Sequence, residues 1–307
     1  MNKKIFLLVM SLVCGTAVYA DAATPFPETA FRRTPYVGAI AVDAQTGEVL
    51  FERHADAVAR PASVTKLMTL LLCLEDMHAF KYDPTTRVTA SVRCSREKPS
   101  NVGLKPGQSM TVDDLLMSIM VRSANDAAVL LAEHSTAANA GRAIKPGDLQ
   151  AFVLRMNNKA RELGMAHTHY ETPNGYPPKP GSGRPFDTST CRDLVKLARA
   201  VLRYPEVFRF TKTKLCTVTD GAGKPLRMVN HNNILVKDRQ KILNERGESE
   251  VDGLKTGYID AGGSSIILTG ARNGKRAIVV VVGSQTAKLR DQHARALMVE
   301  ALDRVAK

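Results

Sequence analysis

Beyond its N-terminus, the chain has no run of the ~20 consecutive apolar residues that cross a bilayer, so no other segment reads as a transmembrane helix. Its five cysteines include no C-x-x-C pair, which argues against a zinc ribbon. Internal repeats and low-complexity linkers are also absent, leaving one large domain as the expectation. What is present is globular in composition: 307 residues, 44% hydrophobic and 24% charged.

The first residues have an export pattern. Lys3 and Lys4 precede an apolar run from Ile5 to Val13, and Val18-Tyr19-Ala20 presents small side chains where a signal peptidase reads. A signal peptide over residues 1–20, cleaved after Ala20, is expected, with the mature chain periplasmic or secreted. The run is too short for an anchor. Ser11-Leu12-Val13 before Cys14 disfavours lipidation there. The formal charge is +13 and stays strongly positive after Lys3 and Lys4 are lost. Export turns that charge away from nucleic acid and toward anionic wall polymer or lipid head groups, unless it is a plain solvated surface. Of the remaining cysteines, Cys73 falls in an apolar helical stretch and reads as a core thiol. Export permits a disulfide among Cys94, Cys191 and Cys216, and the sequence leaves that open.

Tyr36–Arg53 reads as two strands joined at Gln45-Thr46-Gly47. From Ser63 to about His78, Leu67, Leu70, Leu71 and Leu74 recur at helical spacing. Thr111 with Asp114 marks a helix start. Asn125–His134, Asp148–Gly164 and Thr188–Tyr204 read as further helices. Thr172–Asp187 is loop by its proline and glycine content. Val251–Ile259 is expected as a strand, followed by a hairpin turning at Asn273-Gly274. A helix closes the chain. Strands at both ends with helices between imply one sheet assembled from distant segments, with a helical insertion.

Three short motifs carry candidate chemistry. Ser63 and Lys66 lie three apart where a helix begins, so they share a face. A serine hydroxyl needs a base to become a nucleophile, and a lysine can be one if burial or nearby positive charge lowers its pKa. Taken alone, the spacing is weak, since Ser95–Lys98 repeats it in a polar stretch before Pro99 and reads as a chance match. Ser123-Ala124-Asn125 then falls between two helices, where an ordinary helix cap is the plain alternative. Lys255-Thr256-Gly257 falls on a strand, where an exposed lysine is the plain alternative. Their order on helix, loop and strand makes chance a poor account of all three.

Together these motifs match the S-x-x-K, S-x-N and K-T-G set of penicillin-binding proteins and β-lactamases. With "NVGLKPGQSMTVDDLL", "NNKARELGM", "TPNG" and "VDGLKTGYIDAGG", the chain resembles the D-alanyl-D-alanine carboxypeptidase family from Tyr36 to about Ala306. That resemblance implies an α/β (α+β) fold of the penicillin-binding-protein and β-lactamase type: a central five-stranded antiparallel sheet flanked by helices, plus a helical subdomain. It implies a serine D-Ala-D-Ala carboxypeptidase that trims stem pentapeptides of peptidoglycan through an acyl-enzyme. β-Lactams would inhibit it covalently, and no cofactor or metal is implied. Ser63 would be the nucleophile, Lys66 its base and Ser123 a proton relay to the leaving amine. Asn125 would orient Lys66 and the substrate amide. Lys255 would supply positive charge to the site, Thr256 would hydrogen-bond the terminal carboxylate and Arg290 would help hold it. Gly257 would let the strand approach, and the backbone N–H groups of Ser63 and Tyr258 would form the oxyanion hole. Residues 21–307 would be one catalytic domain, without the β-rich C-terminal domain and amphipathic anchor common in the family.

One departure is Ala124, where glycine is commoner; its methyl is expected near the cleft. The rivals are a D,D-endopeptidase using the same residues, a β-lactamase using Glu171 with Asn174, and a wall-binding protein without catalysis. His167 and His169 as metal ligands lack a partner carboxylate at useful spacing.

Overall fold

The computed structural model describes residues 36–179, 181–237, 241–243 and 250–307. The expected signal peptide over residues 1–20 lies outside the described residues. Strands β1 (Gly38–Asp43) and β2 (Val49–Arg53) form the first hairpin. Its turn is fixed by Asp43 Oδ1, which accepts from Gln45 N at 2.7 Å and Thr46 N at 2.8 Å. A 3₁₀ turn over Ala62–Thr65 then runs into helix α1 (Lys66–His78). Leu67, Leu70, Leu71 and Leu74 are fully buried, and so are most of their neighbours. A helix apolar on every side belongs in the centre of a domain, and α1 lies there.

A short pair, β3 (Arg87–Thr89) and β4 (Ser109–Thr111), precedes α2 (Val112–Met117). Thr111 caps α2 by accepting from Asp114 N at 3.1 Å. One π-helical turn, Ser118–Arg122, follows before α3 (Asn125–Asn139) and α4 (Asp148–Glu162). Helix α5 (Cys191–Val201) starts later than its apolar pattern suggests. Thr188 and Ser189 are instead bridged to His169 and Ala59, and Thr190 caps the helix. Next come α6 (Val207–Thr211), the hairpin β5 (Leu215–Thr219) and β6 (Pro225–Val229), and α7 (Asn233–Val236). That hairpin is largely exposed, so the apolar pattern did not mark it. Strands β7 (Val251–Ile259), β8 (Gly263–Arg272) and β9 (Lys275–Ser284), then helix α8 (Ala287–Val305), complete the described chain.

The main sheet is antiparallel in the order β2-β1-β9-β8-β7, so its strands do come from both ends of the sequence. Asn273 and Gly274 both take positive φ, 52° and 75°, as a tight hairpin turn requires. Side chains alternate between two cores. One face packs Ala39, Ala41, Val279 and Val281 against Met298 and Leu302 of α8. The other packs Ile40, Val42, Ile278 and Val280 with α1, α3 and α5. Strand β7 is an edge of the sheet and lies beside the turn that begins α1. The four described cysteines are unpaired, and Cys73 is a buried core thiol.

Candidate active site

The site begins at a strained turn. Ala62 takes φ 52°, a left-handed value unusual for a residue with a Cβ, immediately before Ser63. One 3₁₀ turn later Lys66 is fully buried, whereas Ser63 is only half-buried. Lys66 Nζ lies 2.9 Å from Ser63 Oγ, 2.8 Å from Asn125 Oδ1 and 2.6 Å from the Asn174 carbonyl. This set suits a neutral amine: two N–H groups serve the two carbonyl-type acceptors, and the lone pair faces the serine hydroxyl. The Asn125 amide is oriented by Nδ2, which donates to the Lys98 carbonyl at 3.1 Å. Burial, followed by the positive charge of Lys255, holds the Lys66 amine well below the usual lysine value.

Ser123 follows the π-helical turn, also with a left-handed φ of 60°. Its Oγ accepts from Lys255 Nζ at 3.0 Å, and Lys255 also donates to the Thr256 carbonyl at 2.9 Å. Lys255 is 2% exposed. Burial, then the nearby Arg290 guanidinium, brings its pKa down to about 7. Strand β7 packs its backbone onto the serine turn. A Cβ on Gly257 would sit 2.5 Å from the Pro61 carbonyl oxygen and 3.1 Å from Ser63 N, so this position must be glycine. Tyr258 is 60% exposed and its hydroxyl donates to Asp260, so its side chain leaves the cleft. Arg290 is 3% exposed, with its guanidinium donating to Asp291 Oδ1 at 2.6 and 2.9 Å. Asn233 Nδ2 donates to the other oxygen of Asp291 at 3.2 Å. Arg290 therefore acts on Lys255 through its field from a buried ion pair.

Several contacts that support the site escaped the sequence reading. Asn174 offers Lys66 a backbone carbonyl, which no side-chain pattern encodes. Its own amide donates to Glu97 Oε2 at 3.1 Å, and Arg93 pairs with the other oxygen of Glu97. Asp126 accepts from Val102 N and Leu104 N at 3.1 Å and so holds the segment that brings Lys98 to Asn125. Ser95 sits in a 3₁₀ turn and donates to Val92, so its S-x-x-K spacing forms no pair. Ala124 corrects an expectation: its φ is −63° and it is wholly buried in the core, so its methyl packs inward. The Glu171 carboxylate is held by His169 at 2.7 Å and by Arg184 at 3.7 Å.

The sequence signature of the D-alanyl-D-alanine carboxypeptidase family matches residues 36–286. This chain belongs to that family. Among its relatives, D-alanyl-D-alanine carboxypeptidase DacF of Bacillus subtilis is 28% identical over 289 residues, 92% of this chain and 68% of that protein. The D-alanyl-D-alanine endopeptidase of Escherichia coli is 28% identical over 282 residues, 91% of this chain and 81% of that protein. In three dimensions, penicillin-binding protein D2 of Listeria monocytogenes, solved in its ampicillin-bound form, superposes with a TM-score of 0.70 at 28% identity. The match covers 87% of this chain and 97% of that one. Membership extends to the fold, since the sheet and its flanking helices are those of D,D-peptidases. Among the described residues, no helix of this family member is long and apolar enough to cross a membrane.

Proposed function

We propose that the chain is an exported serine D-Ala-D-Ala carboxypeptidase that trims peptidoglycan stem pentapeptides, with Ser63 as nucleophile and Lys66 as its base. The observation that carries this reading is the buried Lys66 amine, 2.9 Å from Ser63 Oγ and held by two fixed acceptors. Ser63 Oγ attacks the carbonyl carbon of the terminal D-Ala-D-Ala bond while its proton passes to Lys66 Nζ. The tetrahedral oxyanion is received by the backbone N–H groups of Ser63 and Tyr258. Ser123, bonded to Lys255, gives its hydroxyl proton to the departing D-alanine amine as the C–N bond breaks, and the proton held by Lys66 replaces it, which returns both groups to their starting states. Water then hydrolyses the ester and regenerates Ser63. Lys255 and Thr256 receive the terminal carboxylate, with Arg290 adding positive potential from behind. β-Lactams acylate the same serine.

A second reading, D,D-endopeptidase, uses the same residues on a cross-linked substrate, and the similarity to the Escherichia coli endopeptidase favours keeping it. Mass spectrometry of two muropeptides separates the readings. Loss of one D-alanine from a pentapeptide monomer, with the cross-linked dimer intact, is the expected result. Dimer converted to monomers would assign the endopeptidase. Ser63→Ala should abolish either change; activity surviving in that variant would overturn the mechanism.

A further inference from the structure

Asp187 is 7% exposed and does no work in the mechanism above. Its carboxylate accepts four hydrogen bonds, all from neutral groups. Thr65 Oγ1 donates at 2.9 Å, Glu171 N at 2.8 Å, and Thr172 N and Oγ1 each at 3.1 Å. These donors belong to two different pieces of the site. Thr65 immediately precedes Lys66. Glu171 and Thr172 begin the loop that ends at Gly175, and this loop is itself seated against the start of α1. Thr69 Oγ1 donates to the Pro173 carbonyl at 2.6 Å, and Thr172 Oγ1 accepts from Gly175 N at 2.8 Å. Between them lies the Asn174 carbonyl that receives Lys66 Nζ.

We propose that Asp187 is a positioning residue for Lys66: its carboxylate clamps the 171–175 loop to the start of α1 and sets how readily the lysine sheds its proton. The clamp fixes one of the two acceptors that leave the amine's lone pair toward Ser63. The charge has a second effect, opposite in sign to that of Lys255. Burial and Lys255 push the Lys66 pKa down, and Asp187 leads the groups that push it back up. Tyr170 lies near Asp187, its phenol pushed up by burial and by Asp187 and Asp193. Glu171 turns its carboxylate away to His169 and Arg184. Arg60 lies over the neighbouring Phe186 ring at 4.0 Å. Burial itself raises the Asp187 pKa to about 6, against the pull of its four donors.

The proposal rests on Lys66 being the base, and the pH dependence of acylation tests the two separately. The probe is benzylpenicillin, and the readout is the second-order rate of Ser63 acylation in the intact protein. If Lys66 must be neutral, the wild-type rate falls toward acid pH. Asp187→Asn keeps the shape and the two backbone N–H donations to Oδ1, replaces the oxygen facing the Thr65 and Thr172 hydroxyls by an amide NH2, and removes the negative charge. The ammonium form of Lys66 loses support, so the acid limb should move to lower pH. The plateau rate should fall by about tenfold as the loop loosens. A structural role alone would lower the plateau and leave the limb in place, which would overturn the proposal. A wild-type rate flat with pH would overturn the Lys66 reading and this one with it. Should Asp187→Asn fail to fold, Thr172→Val carries the test: it removes two links of the clamp and withdraws one of the donors that hold Asp187 in its charged form. The plateau should fall by about tenfold and the acid limb should again move to lower pH; an unmoved limb would overturn the proposal.

Discussion

Lys66→Met lowers the acylation of Ser63 by benzylpenicillin at neutral pH by about three orders of magnitude, within the range that a positioned general base contributes. Methionine fills similar volume and removes the buried amine, so the core around α1 should keep its stability. Lys66→Arg should fare no better. A guanidinium keeps its proton at any working pH and offers no lone pair to the serine hydroxyl. This pair of variants separates two roles for the residue. A lysine needed only for its charge would be rescued by arginine, and a lysine needed as base would not. Stopped-flow acylation rates on both variants check the expectation, with circular dichroism as the control for folding.

Gly175→Ala is expected to be nearly as damaging, though no side chain is lost. Gly175 takes φ 74°, and a Cβ there would stand 1.9 Å from the Ala62 carbonyl oxygen and 2.9 Å from Ser63 N. Both contacts are with backbone, so the clash cannot be relieved by a rotamer. Either the 171–175 loop lifts off, taking the Asn174 carbonyl from Lys66, or the serine turn shifts. Acylation should fall by at least about a hundredfold, since a displacement near 1 Å is enough for that. The control is Gly181→Ala, in the same loop region with the same φ of 74° but with nothing within 4 Å of the added Cβ. It carries the backbone strain without the clash and should cost about 1 kcal/mol in unfolding free energy with acylation unchanged. Equal loss in both variants would mean that strain, and not close approach to Ser63, governs this loop.

The parts of the site legible in the sequence are those whose chemistry resides in side chains at fixed spacing. Ser63 and Lys66 are one turn apart, and Val251–Ile259 forms its strand with the boundaries its composition suggests. The hairpin at Asn273-Gly274 is written in its turn residues. What supports the site is carried differently. Lys66 and Asn174 are 108 residues apart and meet through a carbonyl that any residue type would supply. Thr65 and Asp187 are 122 apart, and only the fold shows that a loop aspartate is buried beneath the turn that carries Ser63. Ser95 and Lys98 show the converse. Their spacing is that of a catalytic pair, yet the 3₁₀ turn over Cys94–Arg96 sends the hydroxyl to its own backbone. Ala124 misled for a similar reason, because its extended ψ before α3 turns the methyl into the core.

The central claim is that Ser63 alone becomes acylated. The most direct test is intact-mass measurement of the protein after benzylpenicillin treatment, followed by peptide mapping of the adduct. The account predicts one covalent addition, located on the peptide containing Ser63 and absent in Ser63→Ala. An adduct on Ser123 or Ser95, or one that persists in Ser63→Ala, would contradict it.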